Sequence, residues 1–86
     1  MKYRSRTDIV SQILEAANGG ATKTKIMYKA FLSYAQLKEY LAILMANGLL
    51  DWNTTEGIYK TTDKGNRFLR LSSQMVEFVV PEVKGL

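Results

Sequence analysis

The chain contains no cysteine and no histidine. Without cysteine there is neither a disulfide framework nor a thiolate metal site, a composition compatible with a reducing cytoplasm. Without histidine the usual general base and the commonest transition-metal ligand are missing, so Ser-His and Cys-His nucleophiles are excluded. Long apolar runs are absent too. None approaches the roughly 20 residues that span a bilayer, and the N-terminal MKYRSRTDIV lacks the apolar h-region of a secretory signal. These absences point away from an enzyme, a metal or other cofactor and a membrane, and toward a soluble cytoplasmic product.

What is present is basic and small. The 86 residues make one domain, and a domain of this size buries only about 60 to 65% of its unfolded surface, so a partner subunit would add stability. Lys and Arg number 12 against 8 Asp and Glu, a net charge of +4 with a pI near 9.5. That balance favours a polyanionic partner, although many small basic domains bind no nucleic acid.

Apolar spacing divides the chain into helices and one hairpin. The first helix is expected to start near Ser5 or Thr7, with Thr7 as its cap and Asp8 in its electropositive first turn. Ile9, Ile13, Leu14 and Ala17 recur along one face, and Asn18-Gly19-Gly20 ends it. Thr22 or Thr24 caps a second helix that turns Ile26, Met27 and Ala30 inward and leaves Lys23, Lys25 and Lys29 in solvent. Leu32 plugs the following turn, and Phe31 is assigned to the core because a Phe that can be buried usually is. Ser33, with Gln36 three residues on, has the spacing of a capping box for the third helix. Leu37, Leu41, Leu44 and Met45 form its core edge, and Asn47-Gly48 stops it. Leu49, Leu50 and Trp52 then open a strand whose partner, Ile58 to Thr61, follows the loop Asn53 to Gly57. Trp52 is expected to pack on the core rather than to meet a nucleobase.

Two short amphipathic helices joined by a tight turn, followed directly by a strand pair, describe a helix-turn-helix with a wing. The fold class is therefore mainly α with a small β-hairpin: a winged helix-turn-helix at 1–61, continuous with a C-terminal helix at 62–86. Thr62 caps that last helix, Gly65 is a mild weakness in it, and Pro81 stops it. Phe68, Leu71, Met75 and Phe78 lie 3, 4 and 3 residues apart, an a/d seam. Leu69, Val76, Val79 and Val80 add a second apolar flank, more than one small domain can cover.

A recognition helix places its N-terminal residues against base edges. Ser33, Tyr34, Gln36 and Lys38 are accordingly the candidates for duplex DNA, with Glu39 on the same side. Ala35, Gln36, Glu39, Ala42 and Ala46 lie opposite the core edge, with Lys38 at a flank. Gln36 has two open roles, bidentate pairing with adenine or closure of the capping box on Ser33. Lys23, Lys25 and Lys29, Arg4 or Arg6, and Lys60 beside the wing are the candidate phosphate anchors, with Lys64 and Arg67 near. Four to six such contacts give a slope of log K on log salt of about −4 to −5 per protomer. The loop's only charge, Glu56, makes a poor phosphate-binding wing.

Read together, LSYAQLKEYLAILMANGLL and the downstream Tyr-x-Thr-Thr-Asp-Lys-Gly-x-x-Phe-Leu resemble the small archaeal winged-helix proteins of about ten kilodaltons. The resemblance runs from about Thr7 to Leu71. It implies a dimer held by an antiparallel coiled coil of the C-terminal helices, through Phe68, Leu71, Met75, Phe78 and Val79, and a DNA-binding, chromatin-associated or transcription-regulating role at the nucleoid. The alternative is a winged helix used as a protein-docking module without DNA, since fold alone does not fix function.

Overall fold

The structure, a computed structural model, describes residues 4–72. Met75, Phe78 and Val79 of the expected dimer seam, the flanking Val76 and Val80, and the stop at Pro81 lie outside the described residues. Three helices come first: α1 (Arg6–Ala16), α2 (Lys23–Lys29) and α3 (Tyr34–Ala46). The strands β1 (Leu50–Asn53) and β2 (Ile58–Thr61) follow, and a further helix runs from 63 to the limit of the described residues at 72.

Local chemistry sets each helix start. Ser5, not Thr7, caps α1: the Asp8 N–H donates to Ser5 Oγ at 3.0 Å, and the Ser5 N–H donates back to Asp8 Oδ2 at 3.1 Å. The reciprocal box needs an acceptor side chain three residues after the cap, which Asp8 supplies for Ser5 and Val10 cannot supply for Thr7. Thr22 caps α2 through the Lys25 N–H at 3.2 Å. Ser33 and Gln36 close the capping box of α3 at 3.2 and 3.1 Å.

The ends of α2 and α3 share one pattern. After α2, Leu32 N–H reaches the Met27 carbonyl at 3.1 Å and Phe31 N–H that of Tyr28 at 3.3 Å; after α3, Leu49 reaches Leu44 at 2.9 Å and Gly48 reaches Met45 at 3.1 Å. Both are Schellman motifs, in which the residue just past the cap takes the left-handed conformation. That residue is Gly48 (φ +74°) in one and Phe31 (φ +54°) in the other.

The hairpin is antiparallel, pairing Leu50 with Thr61 and Trp52 with Tyr59. A further bridge anchors it: Ala21, between α1 and α2, exchanges two backbone hydrogen bonds with Tyr59, at 2.9 and 2.8 Å. Sequence spacing gave no sign of it, because one bridging residue has no periodicity. Thr61 extends the anchor, its buried hydroxyl donating to the Leu14 carbonyl at 2.6 Å and its N–H to that of Ala17 at 3.1 Å.

The core lies where the three helices meet the hairpin: Ile13, Leu14, Ile26, Leu37, Leu44 and Leu50 are fully buried, with Ala17, Ala21, Ala30, Leu32 and Leu41 around them. Three expectations need correcting. Met45 is 40% exposed, because its place on α3 lies on the flank, away from the Leu37-Leu41-Leu44 stripe. Trp52 is 44% exposed: it shares a hairpin face with Leu50 but sits beyond the edge of the core, where its ring tilts against Tyr59 at 4.7 Å. Phe31 is 78% exposed, since the buried position after the turn belongs to Leu32.

Gly65 is no simple weakness. It is buried, and a Cβ there would lie 2.5 Å from the Leu49 carbonyl oxygen and 2.6 Å from Thr61 Cγ2. Absence of a side chain is what lets the helix from 63 cross the start of the hairpin. Thr62 fixes the crossing, accepting from the Gly65 N–H at 3.0 Å while donating to the Gly48 carbonyl at 2.6 Å. Phe68 and Leu69 then pack against the core, and Leu71 is exposed.

Candidate nucleic-acid interface

The outer face of α3 follows from its buried one. With Leu37, Leu41 and Leu44 facing the core, Ala35, Lys38, Glu39, Ala42 and Ala46 project into solvent. Lys38 and Glu39 are the only charges on this helix. The face is small near its N-terminal half, a shape that permits close approach to a groove.

Around that N-terminus the candidates have different surroundings. Tyr34 is exposed, and Lys23 reaches it from the start of α2: the Lys23 ammonium donates to Tyr34 Oη at 3.3 Å and stands 5.0 Å from the ring centroid. Lys38, one turn after Tyr34, continues the same flank of α3. Lys23, Tyr34 and Lys38 therefore make a cationic edge spanning two helices.

Gln36 uses its side-chain oxygen on the Ser33 N–H. A bidentate contact to adenine needs both ends of the amide, so it competes with the capping box, whereas the two N–H donors of Gln36 face no such conflict. Ser33 is likewise engaged through its hydroxyl by the Gln36 N–H.

The remaining cations divide by location. On α2, residues four apart lie about 40° from each other around the axis and residues two apart about 160°. Lys25 and Lys29 therefore share one flank, while Lys23 lies on the flank that meets Tyr34. Arg6 is exposed on the first turn of α1. Arg4 is tied into the fold, its guanidinium donating to the Gln12 side chain and to the carbonyls of Ala30 and Phe31, the last at 2.9 Å. Lys64 donates to the Asn47 carbonyl at 2.8 Å and so satisfies the C-terminus of α3. Lys60 is exposed and paired in register with Asp51 across the hairpin.

The wing loop is closed by Asn53, whose side-chain oxygen accepts from the Glu56 N–H at 3.0 Å and whose carbonyl accepts from the Gly57 N–H at 2.8 Å. Between the hairpin and the helix from 63 lies an open groove of about 810 Å³ lined by Trp52, Asn53, Lys60 and Lys64 together with Asp51 and Asp63. Its charges balance, so it does not extend the cationic edge. Among the described residues no group of three or more His, Cys, Asp or Glu side chains could hold a metal ion, and no helix is long and apolar enough to cross a membrane.

Three helices, a two-stranded wing and an open third helix define a class, and the chain belongs to it: the winged helix-turn-helix family matches residues 3–79. Among individual proteins, the chain is 31% identical over 80 residues to an uncharacterized protein, MJ0290, of the archaeon Methanocaldococcus jannaschii. That alignment takes in 92% of this chain and 37% of the relative, so the chain spans little more than a third of the length of the curated protein it matches. Its fold is similar to that of Sso10a-2, described as a DNA-binding protein from Sulfolobus solfataricus, with a TM-score of 0.84, 23% identity, and coverage of 95% of this chain and 88% of that one. These likenesses agree with the small archaeal winged-helix group suggested by the sequence.

Proposed function

We propose that the chain binds double-stranded DNA by laying the N-terminal half of α3 in the major groove, as a homodimeric, nucleoid-associated regulator or chromatin protein of the cytoplasm. The observation that carries the proposal is the exposed start of α3 flanked by the Lys23-Tyr34-Lys38 edge. A cationic rim beside a small, open helix face suits a groove whose walls are phosphate and whose floor is base edges. The description of the structural neighbour Sso10a-2 as DNA-binding supports the same role.

Within this role Lys23, Lys38, Arg6 and Lys60 contact phosphate and Tyr34 donates its hydroxyl to it. Lys25 and Lys29, on the other flank of α2, and the structurally engaged Arg4 contribute less. Gln36 reads bases through its free N–H donors while its oxygen keeps Ser33 capped. The segment 62–86 pairs two protomers through the seam that begins at Phe68 and continues with the exposed Leu71, and the winged domain 1–61 is the DNA-binding part. No step of chemistry is assigned to the protein; its action is binding.

Fluorescence anisotropy with a mixed-sequence duplex at two salt concentrations, combined with light scattering, tests this. A dimer that binds with a slope of log K on log salt of about −3 to −4 per protomer, reduced by roughly one unit in Lys23→Ala, is the expected result. A chain that ignores the duplex at low salt would reduce the winged helix to a protein-docking module, a role favoured by Glu39 and Glu56 on faces that would otherwise meet phosphate.

A further inference from the structure

Beside the end of α2 lie two exposed aromatic rings that the DNA-binding proposal leaves unused. Phe31 is 78% exposed and Tyr28, at the centre of the outer face of α2, is 69% exposed. Lys25 and Lys29 border Tyr28 on the flank opposite Lys23, and neither α2 nor the turn contains an acidic residue. Nothing in the fold requires an aromatic ring at position 31. The left-handed backbone there (φ +54°) would be relaxed with glycine and costs a Cβ-bearing residue about 1 to 2 kcal/mol. The turn is nonetheless held firmly, because Arg4 donates to the carbonyls of both Ala30 and Phe31. The protein therefore presents a large apolar side chain outward from a braced backbone, at the end of a helix whose outer face carries a second exposed ring and two cations.

We infer that Tyr28, Phe31, Lys25 and Lys29 form a docking surface for an acidic amphipathic segment of another protein. Charge complementarity selects the sign of the partner, and the rings select its apolar content. A phenyl ring has no donor for phosphate, and the outside of a duplex offers mainly charged backbone. Burying Phe31 against phosphate would desolvate the phosphate without replacing its hydrogen bonds. An amphipathic segment supplies what the surface lacks: apolar side chains to cover the two rings, and carboxylates at its margins to meet Lys25 and Lys29. Aromatic anchors with a charged rim are the usual composition of such a contact. The inference does not rest on DNA binding by α3.

The test uses the full chain and a fluorescein-labelled synthetic helical peptide with leucine and phenylalanine on one face and aspartate and glutamate along its margins. Its control is the same peptide with the apolar residues changed to serine. Binding of the first peptide and not the control is expected, with affinity reduced at least about tenfold in Phe31→Ala and the salt dependence flattened in Lys25→Ala/Lys29→Ala. Duplex affinity should be unchanged in Phe31→Ala. No binding of the acidic peptide, or equal binding by wild type and Phe31→Ala, overturns the inference. So does a Phe31→Ala chain that loses duplex affinity and keeps the peptide, which would assign the surface to DNA. Because Phe31 is exposed, a folded Phe31→Ala protein is expected, and circular dichroism of each variant confirms it.

Discussion

The two helices of the helix-turn-helix end in the same hydrogen-bonded motif and fill its one demanding position in opposite ways. Past α3 the left-handed residue is Gly48, for which that conformation is free of a Cβ penalty; past α2 it is Phe31, for which it is not. A Cβ at Gly48 would meet nothing nearer than Lys64 Cδ at 3.9 Å, so backbone conformation alone favours glycine there. Gly65 provides a third case. It carries no positive φ, and its lack of a side chain answers to contact with Leu49 and Thr61. Glycine is thus favoured by conformation at one site and required by packing at another, while Phe31 keeps a ring where conformation disfavours it and packing does not use it.

The largest effect should come from Gly65→Ala. With the nearest obstacle a backbone oxygen, the helix from 63 must shift, and a loss of about 2 to 4 kcal/mol is expected in urea denaturation. A loss under about 0.5 kcal/mol would mean that the crossing adjusts freely and that packing does not require glycine at position 65. Thr61→Val should cost about 1 to 2 kcal/mol by leaving the Leu14 carbonyl without its buried donor. Gly48→Ala isolates conformational strain and should cost about 1 kcal/mol, followed as a lower Tm. The converse, Phe31→Gly, gains relief of strain but also a more flexible unfolded chain, leaving a net stabilisation of up to about 1 kcal/mol. A clear destabilisation by Phe31→Gly would show that the ring supports the fold and would remove the contrast between the two motifs.

Much of the architecture was legible in residue order because it is local. Ser33 and Gln36 are spaced as a capping box, Leu37, Leu41 and Leu44 repeat at the helical period, and a strand pair flanks the loop Asn53 to Gly57. The candidate face of α3 follows from the same period. What was not legible concerns partners distant in the chain. Arg4 reads as a free cation until the turn carbonyls 26 and 27 residues away are brought to it. Helical spacing sets Lys23 on a different flank from Lys25 and Lys29, but that this flank meets Tyr34 shows only once α2 and α3 are packed. Trp52 reads as core from its strand, yet its exposure depends on where the underlying core ends.

The sequence by itself determined the order of the elements, the capping box of α3 and most of the apolar stripe of each helix, because these depend on hydrogen bonds and spacings within a few residues. Tertiary structure decided which side chains remain available at the surface: Tyr34 and Lys23 joined at the start of α3, Phe31 outside the core, and Gly65 pressed against backbone. Exposure and close contact are properties of the space between elements, and that space exists only after the helices and hairpin have packed.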